Sequence, residues 1–395
     1  MNKLNGIGYT IKRGGFLLIF ACRALFAGEA PTQKPDRVIM FIIDGLAVGA
    51  MDRIEMPRLR QLAQEGTHYR AMHLPLPGHP EKSEDYPWSS SMANPMLMSG
   101  TPFIGLDGIR EAMIQHQFQE KETAFVVNAF SYVEVSGGFD TYISTPHRRD
   151  ALVIDNTKEV MLEKNPVFLR VHLQRPGTEG EKVSKERYAD EPFYRNIWHE
   201  QSLYRIACER ADLQLGRFVD WLKEQNLWEG TVLLIFGDHG QADEGWHEPY
   251  SPPSSITPLI VSGQGVASGR TLDYSEIIDI VPTIAWLLGR EAPAHSLGRI
   301  LREAFDPDLP APDTPRRIEQ LNHLLRYVNS LDEDAQQSLK RAGFLTIDEI
   351  GLWHQTEAGT NLDKFVERQR AIVETQLPTA DAPEREAKQS HEPGE

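Results

Sequence analysis

Val38 to Ile43 (VIMFII) is an unbroken apolar run, and Thr231 to Phe236 (TVLLIF) is another. Continuous runs, rather than alternating ones, mark strands buried on both faces of a parallel sheet. Val167–Val171 and Pro258–Val261 are weaker runs of the same kind. Between them apolar residues recur at helical spacing. The clearest stretch is 199–224, where Leu203, Ala207, Ala211, Leu215, Phe218 and Leu222 fall on one stripe. Strands alternating with helices predict an α/β sandwich around a mostly parallel sheet. Such sheets take their ligands at the carboxyl ends of the strands. After Pro315 the pattern becomes helical throughout, with Ile318, Leu321, Leu325 and Val328 in register. Ser330 with Glu333, and Thr346 with Glu349, have the spacing of capping boxes. Residues 313–377 are therefore expected to form a helical appendix to an α/β domain at 31–312. Its expected role is packing on the sheet.

The ends differ from this body. Lys3, Lys12 and Arg13 precede the apolar run Gly14–Ala21, and small residues follow at Ala27, Gly28 and Ala30. That is the layout of an export signal over residues 1–30, and the run is too short for a permanent span. Ile19-Phe20-Ala21-Cys22 resembles a lipoprotein box, so a lipid anchor at Cys22 is the alternative. The protein is expected to be exported and to reside in the periplasm or cell envelope, with membrane contact only through such an anchor. Residues 378–395 are polar, Pro-containing and aperiodic, and read as a disordered tail. Cys208 is the only other cysteine and reads as a core filler. The formal charge of −16 opposes any surface built to hold a nucleic acid. An anionic substrate would need a local cation.

Both strong runs end in acid. Asp44-Gly45 follows the first, and Gly237-Asp238-His239-Gly240 follows the second. Carboxylates and an imidazole at the ligand edge suit one divalent ion, zinc or manganese ahead of calcium. Separately, each motif also reads as a cap or a turn. Ser89, Ser90 and Ser91 open a helical stretch between them. Such serines are commonly N-caps, yet a helix N-terminus also favours an anion. A serine hydroxyl beside a metal becomes a nucleophile.

Together these motifs resemble the alkaline phosphatase superfamily, and within it the sulfatase-like hydrolase and transferase branch. The resemblance rests on Ile43-Asp44-Gly45, a Ser ten residues before Ser99-Gly100, Gly237-Asp238-His239-Gly240 and the later His247. Thr257-Pro258-Leu259-Ile260-Val261 and Asp279-Ile280-Val281-Pro282-Thr283 support it. It implies an alkaline-phosphatase-like three-layer sandwich, with Ser90 as nucleophile and Ser89 and Ser91 as competing registers. It also implies Asp44, Asp238, His239 and the Ser90 oxygen as metal ligands. His247 would lie near the leaving group or a second metal, and His172 is a further catalytic candidate. Arg175 and either Arg148 or Arg149 are the candidates for binding the substrate anion.

Two departures narrow the reading. Gln174 and Thr178 stand where two-metal relatives carry the Asp and His of an Asp-x-x-Gly-His pair, so the second site is depleted. Ser90 is followed by Ser91-Met92-Ala93-Asn94, not by the x-Pro-x-Arg of formylglycine sulfatases. The resulting expectation is a metal-dependent hydrolase of phosphate esters, or of related sulfate or phosphonate esters, working through a covalent serine intermediate. Its substrate would be a small anionic ester or an envelope glycan or lipid. The alternatives are a phosphoryl-headgroup transferase of the envelope and an exported binding protein that has lost turnover.

Overall fold

The computed structural model describes residues 31, 34–76, 90–102, 112–119, 122–145, 149–247, 251–310, 316–344 and 362–377. The expectations for residues 1–30, for Arg148, for Thr346 with Glu349 and for the tail at 378–395 lie outside them.

Among the described residues eight strands form one sheet: β1 (Arg37–Ile43), β2 (Thr67–His73), β3 (Thr123–Val127), β4 (Thr141–Ser144), β5 (Phe168–Leu173), β6 (Thr231–Phe236), β7 (Ile256–Gly263) and β8 (Arg270–Glu276). Their spatial order is β4-β3-β5-β1-β6-β7-β2-β8. The run from β4 to β6 is parallel, and β2 pairs with β8 in parallel; only β7 runs against its neighbours β6 and β2. The helices are α1 (Ala50–Arg53), α2 (Pro57–Glu65), α3 (Ser90–Ser99), α4 (Asp150–Lys164), α5 (Arg175–Val183), α6 (Leu203–Glu224), α7 (Ile280–Leu288), α8 (Arg317–Ser330), α9 (Glu333–Arg341) and α10 (Leu362–Gln376).

The continuous apolar runs explain the layering. Because side chains alternate along a strand, Val38, Met40 and Ile42 face one side, where α3, α7 and the C-terminal helices pack. Ile39, Phe41 and Ile43 face the other, against α2, α4 and α6. Every residue of β1 and β6 is buried. The result is a mostly parallel α/β sandwich of three layers.

The C-terminal helices share the first core through Ile318, Leu321, Leu325, Phe365 and Val373. Polar contacts tie them down. The Arg317 guanidinium lies 2.6 Å from the Glu276 carboxylate, and Asn322 donates to the Leu74 carbonyl and accepts from the Leu76 amide at 2.8 Å each. Two expected boundaries move. The long helix begins at Leu203 rather than His199, because His199–Ser202 closes a separate turn. Asp332, not Ser330, caps α9 by accepting from the Ala335 amide, while Ser330 bonds back to Tyr327.

Candidate active site

The sheet brings the sequence candidates together at its carboxyl edge. Parallel register places Ile42 beside both His172 and Phe236, so Asp44, two residues on, emerges next to His172 on the same face and next to the Gly237-Asp238 turn. Asp44 and Asp238 are almost fully buried, as are His172 and His239. Ser90, the first residue of α3, points its hydroxyl at this cluster. Its Oγ lies 3.0 Å from Asp44 Oδ2 and 3.4 Å from His239 Nε2. Ser89 and the Ser91 side chain lie outside the described residues.

Local structure holds each group. Gly45 adopts a left-handed conformation at φ +63°, and its amide donates to Asp238 Oδ1 at 3.3 Å. Gly177, in α5, packs directly over Asp44; a Cβ there would sit 1.5 Å from Asp44 Oδ1. His239 Nδ1 lies 2.7 Å from the Gly240 carbonyl. When one ring nitrogen of a neutral imidazole donates to a carbonyl, the other is an acceptor. That Nε2 faces Asp44 Oδ1 at 3.8 Å and Asp238 Oδ1 at 3.9 Å. Two buried carboxylates and a lone-pair imidazole, almost without access to water, suit a divalent ion.

Burial works to raise the Asp44 carboxyl, but the His172 hydrogen bond and the nearby His239 outweigh it and hold it below its ordinary value. His247 lies edge-on to His239, 4.4 Å between ring centres. Burial, with His239 beside it, pushes His247 down to about 3, so the ring is neutral near pH 7. Its Nδ1 has no hydrogen-bond partner among the described residues. Gln174 is the residue before α5, its backbone N–H donating to Asn128 Oδ1 at 2.9 Å, and Thr178 lies one turn on. Arg175 is turned along the same helix, 3.4 Å from Glu179. Arg149 flanks the start of α4.

Four residues of the site were not anticipated. Tyr132, from the short helix Phe130–Val135, donates to Asp44 Oδ2 at 2.7 Å. Asn94, one turn into α3, donates to Asp238 Oδ2 at 3.2 Å. Arg170, fully buried in β5, reaches both Asn94 and His172. Gln241 lies fully buried beside Gly45 and Gly180, with neither amide atom partnered among the described residues. Arg170 carried a visible signal, since a charged residue two before His172 on a central strand must share its buried face.

The Sulfatase family model matches residues 85–290, more than half of the 395-residue chain. The chain belongs to the sulfatase family, within the alkaline phosphatase superfamily. A stretch of 99 residues is 36% identical to the 2,3-bisphosphoglycerate-independent phosphoglycerate mutase of Desulforudis audaxviator, covering 24% of this chain and 18% of that protein. Another of 94 residues is 34% identical to the multifunctional alkaline phosphatase superfamily protein PehA of Trinickia caryophylli, covering 22% and 18%. The matched part thus spans under a fifth of these curated relatives. Among solved structures, a 2-O GAG sulfatase superposes with a TM-score of 0.52 at 14% identity, over 72% of this chain and 76% of that one. At that identity the likeness is one of fold: the sulfatase-family sandwich. Among the described residues no helix is long and apolar enough to cross a membrane.

Proposed function

We propose that this sulfatase-family chain is a metal-dependent hydrolase of phosphate monoesters or diesters, acting through a covalent Ser90 intermediate. The observation that carries it is the Ser90 hydroxyl at 3.0 Å from Asp44 and 3.4 Å from His239, at the edge where such sheets bind ligands. Asp44, Asp238 and His239, with the Ser90 oxygen, would hold one divalent ion, zinc or manganese ahead of calcium. Bound there, the ion would ease loss of the Ser90 proton and neutralise charge on the transferred group.

The chain's own residues supply the rest. With His239 Nε2 committed to the ion, the acceptor within reach of the Ser90 proton is Asp44 Oδ2. Ser90 Oγ bonds to phosphorus as the ester P–O bond breaks, and water then cleaves the Oγ–P bond and restores the hydroxyl. Neutral His247, at the rim of the cluster, is placed to hydrogen-bond the departing oxygen. Arg175, part-exposed at the start of α5, is the candidate to meet the rest of the anion.

Gln174 and Thr178 leave a second ion with poor ligands, which favours one ion per chain and keeps alive the reading of a binding protein without turnover. Replacing Ser90 with Ala separates the two. Aryl phosphate hydrolysis is expected to fall at least about 1,000-fold, with bound metal still near one per chain. Full activity in Ser90→Ala, or no activity in the native protein under any divalent ion, would reject the hydrolase.

A further inference from the structure

Asp44, His172 and Asp238 each bring one ligand atom within 4.8 Å of the others, so distance alone groups His172 with the metal-binding acids. Hydrogen-bond chemistry separates it from them. Arg170 Nη2 lies 3.3 Å from His172 Nδ1. A guanidinium has donors and no acceptor, so Nδ1 must accept. Burial brings Arg170 down to about 10, still protonated at neutral pH. A ring whose Nδ1 accepts carries its proton on Nε2 when neutral. That Nε2 lies 3.2 Å from Asp44 Oδ2 and 3.1 Å from the Tyr132 hydroxyl. It is a donor, and a nitrogen holding a proton cannot ligate a cation.

The same guanidinium orients Asn94. Arg170 Nη2 bonds the Asn94 Oδ1, which leaves the Asn94 amide nitrogen to donate to Asp238 Oδ2 at 3.2 Å and to the Ser90 carbonyl. One buried cation therefore makes donors of two neighbours. Each donor takes the Oδ2 of one acid, and both Oδ1 atoms face His239 Nε2. The cost of burying Arg170 is partly met by the ring faces around it, with Phe125 at 4.4 Å and Tyr132 at 5.8 Å.

We propose that Arg170 is a positioning residue that sets the polarity of the site, fixing His172 as an Nε2–H donor outside the metal ligand set. The inference builds on the metal site proposed above but concerns the tautomer of one ring, which is readable without metal and without turnover.

Long-range proton–nitrogen spectra of protein labelled with 15N-histidine test it, with His172→Asn identifying the resonance. In the metal-free protein His172 is expected to carry its proton on Nε2 and to accept at Nδ1. On titration with zinc that pattern should persist, while His239 Nε2 shifts. A His172 protonated on Nδ1, or on both nitrogens, would overturn the proposal, as would zinc bound at His172 Nε2. In Arg170→Met the fixed tautomer should be lost and zinc affinity should fall about 10–100-fold; an unchanged His172 pattern would remove Arg170 from the account. If that variant fails to fold, the native spectra alone still decide the tautomer.

Discussion

Asp150 opens α4 with its carboxyl buried, one oxygen accepting from Asn128 at 2.8 Å and from the Arg175 amide at 3.4 Å. Burial is the main reason that it rises from 3.8 to about 6. Between those values the folded protein keeps a proton that the unfolded chain has lost. Stability therefore falls as pH rises through that window, then levels off, a loss of roughly 3 kcal/mol in all. Asp150→Asn keeps the accepting oxygen and has no charge to bury. Denaturant unfolding should find it more stable than the native protein at pH 8, by up to about 3 kcal/mol, with the difference gone by pH 4. A variant less stable than the native protein at pH 8 would show that the ionised carboxylate supports the fold. Residues of this kind divide by how they announce themselves in sequence. Asp44, Asp238 and His239 end unbroken apolar runs, where an acid has few uses besides a ligand edge or a turn. Tyr132 and Asn94 carry no such mark, because their partners lie 88 and 144 positions away.

At the scale of elements, α5 has the most to say about the site. Its sequence, RPGTEGEKV, holds two glycines in nine residues, each normally a loss of up to about 1 kcal/mol in a helix interior. Gly177 is needed because Asp44 occupies the space of its Cβ. Gly177→Ala should therefore favour the helix while pushing Asp44 aside. Aryl phosphate turnover is expected to drop about 100-fold or more, without a lower melting temperature. Unchanged turnover would mean that Asp44 tolerates displacement. The strands were the most legible elements, since a run buried on both faces looks like little else. Helix ends were less so. Ser330 and Asp332 are both good caps by type, and only the path of the chain selects Asp332. The short helix that delivers Tyr132 has no periodicity long enough to read.

For the whole molecule, the net charge of −16 is compatible with an anionic substrate, because Asp44 and Asp238, themselves part of that charge, would gather a cation where it is needed. The C-terminal helices were legible as helices that pack on the sheet, but the polar contacts that hold them there were not. Their anchorage joins Arg317 to Glu276, 41 positions away, and Asn322 to Leu74 and Leu76, 248 and 246 positions away. This frame holds the Ser90 hydroxyl against Asp44 and His239. The proposed covalent phosphoserine is open to direct observation. Metal-loaded protein turning over an aryl phosphate is quenched in acid, digested and mapped by mass spectrometry. A phosphoryl group on Ser90, and on neither Ser89 nor Ser91, is the predicted result. Steady hydrolysis with no phosphoserine at any time point, or with the group on a neighbouring serine, would contradict it.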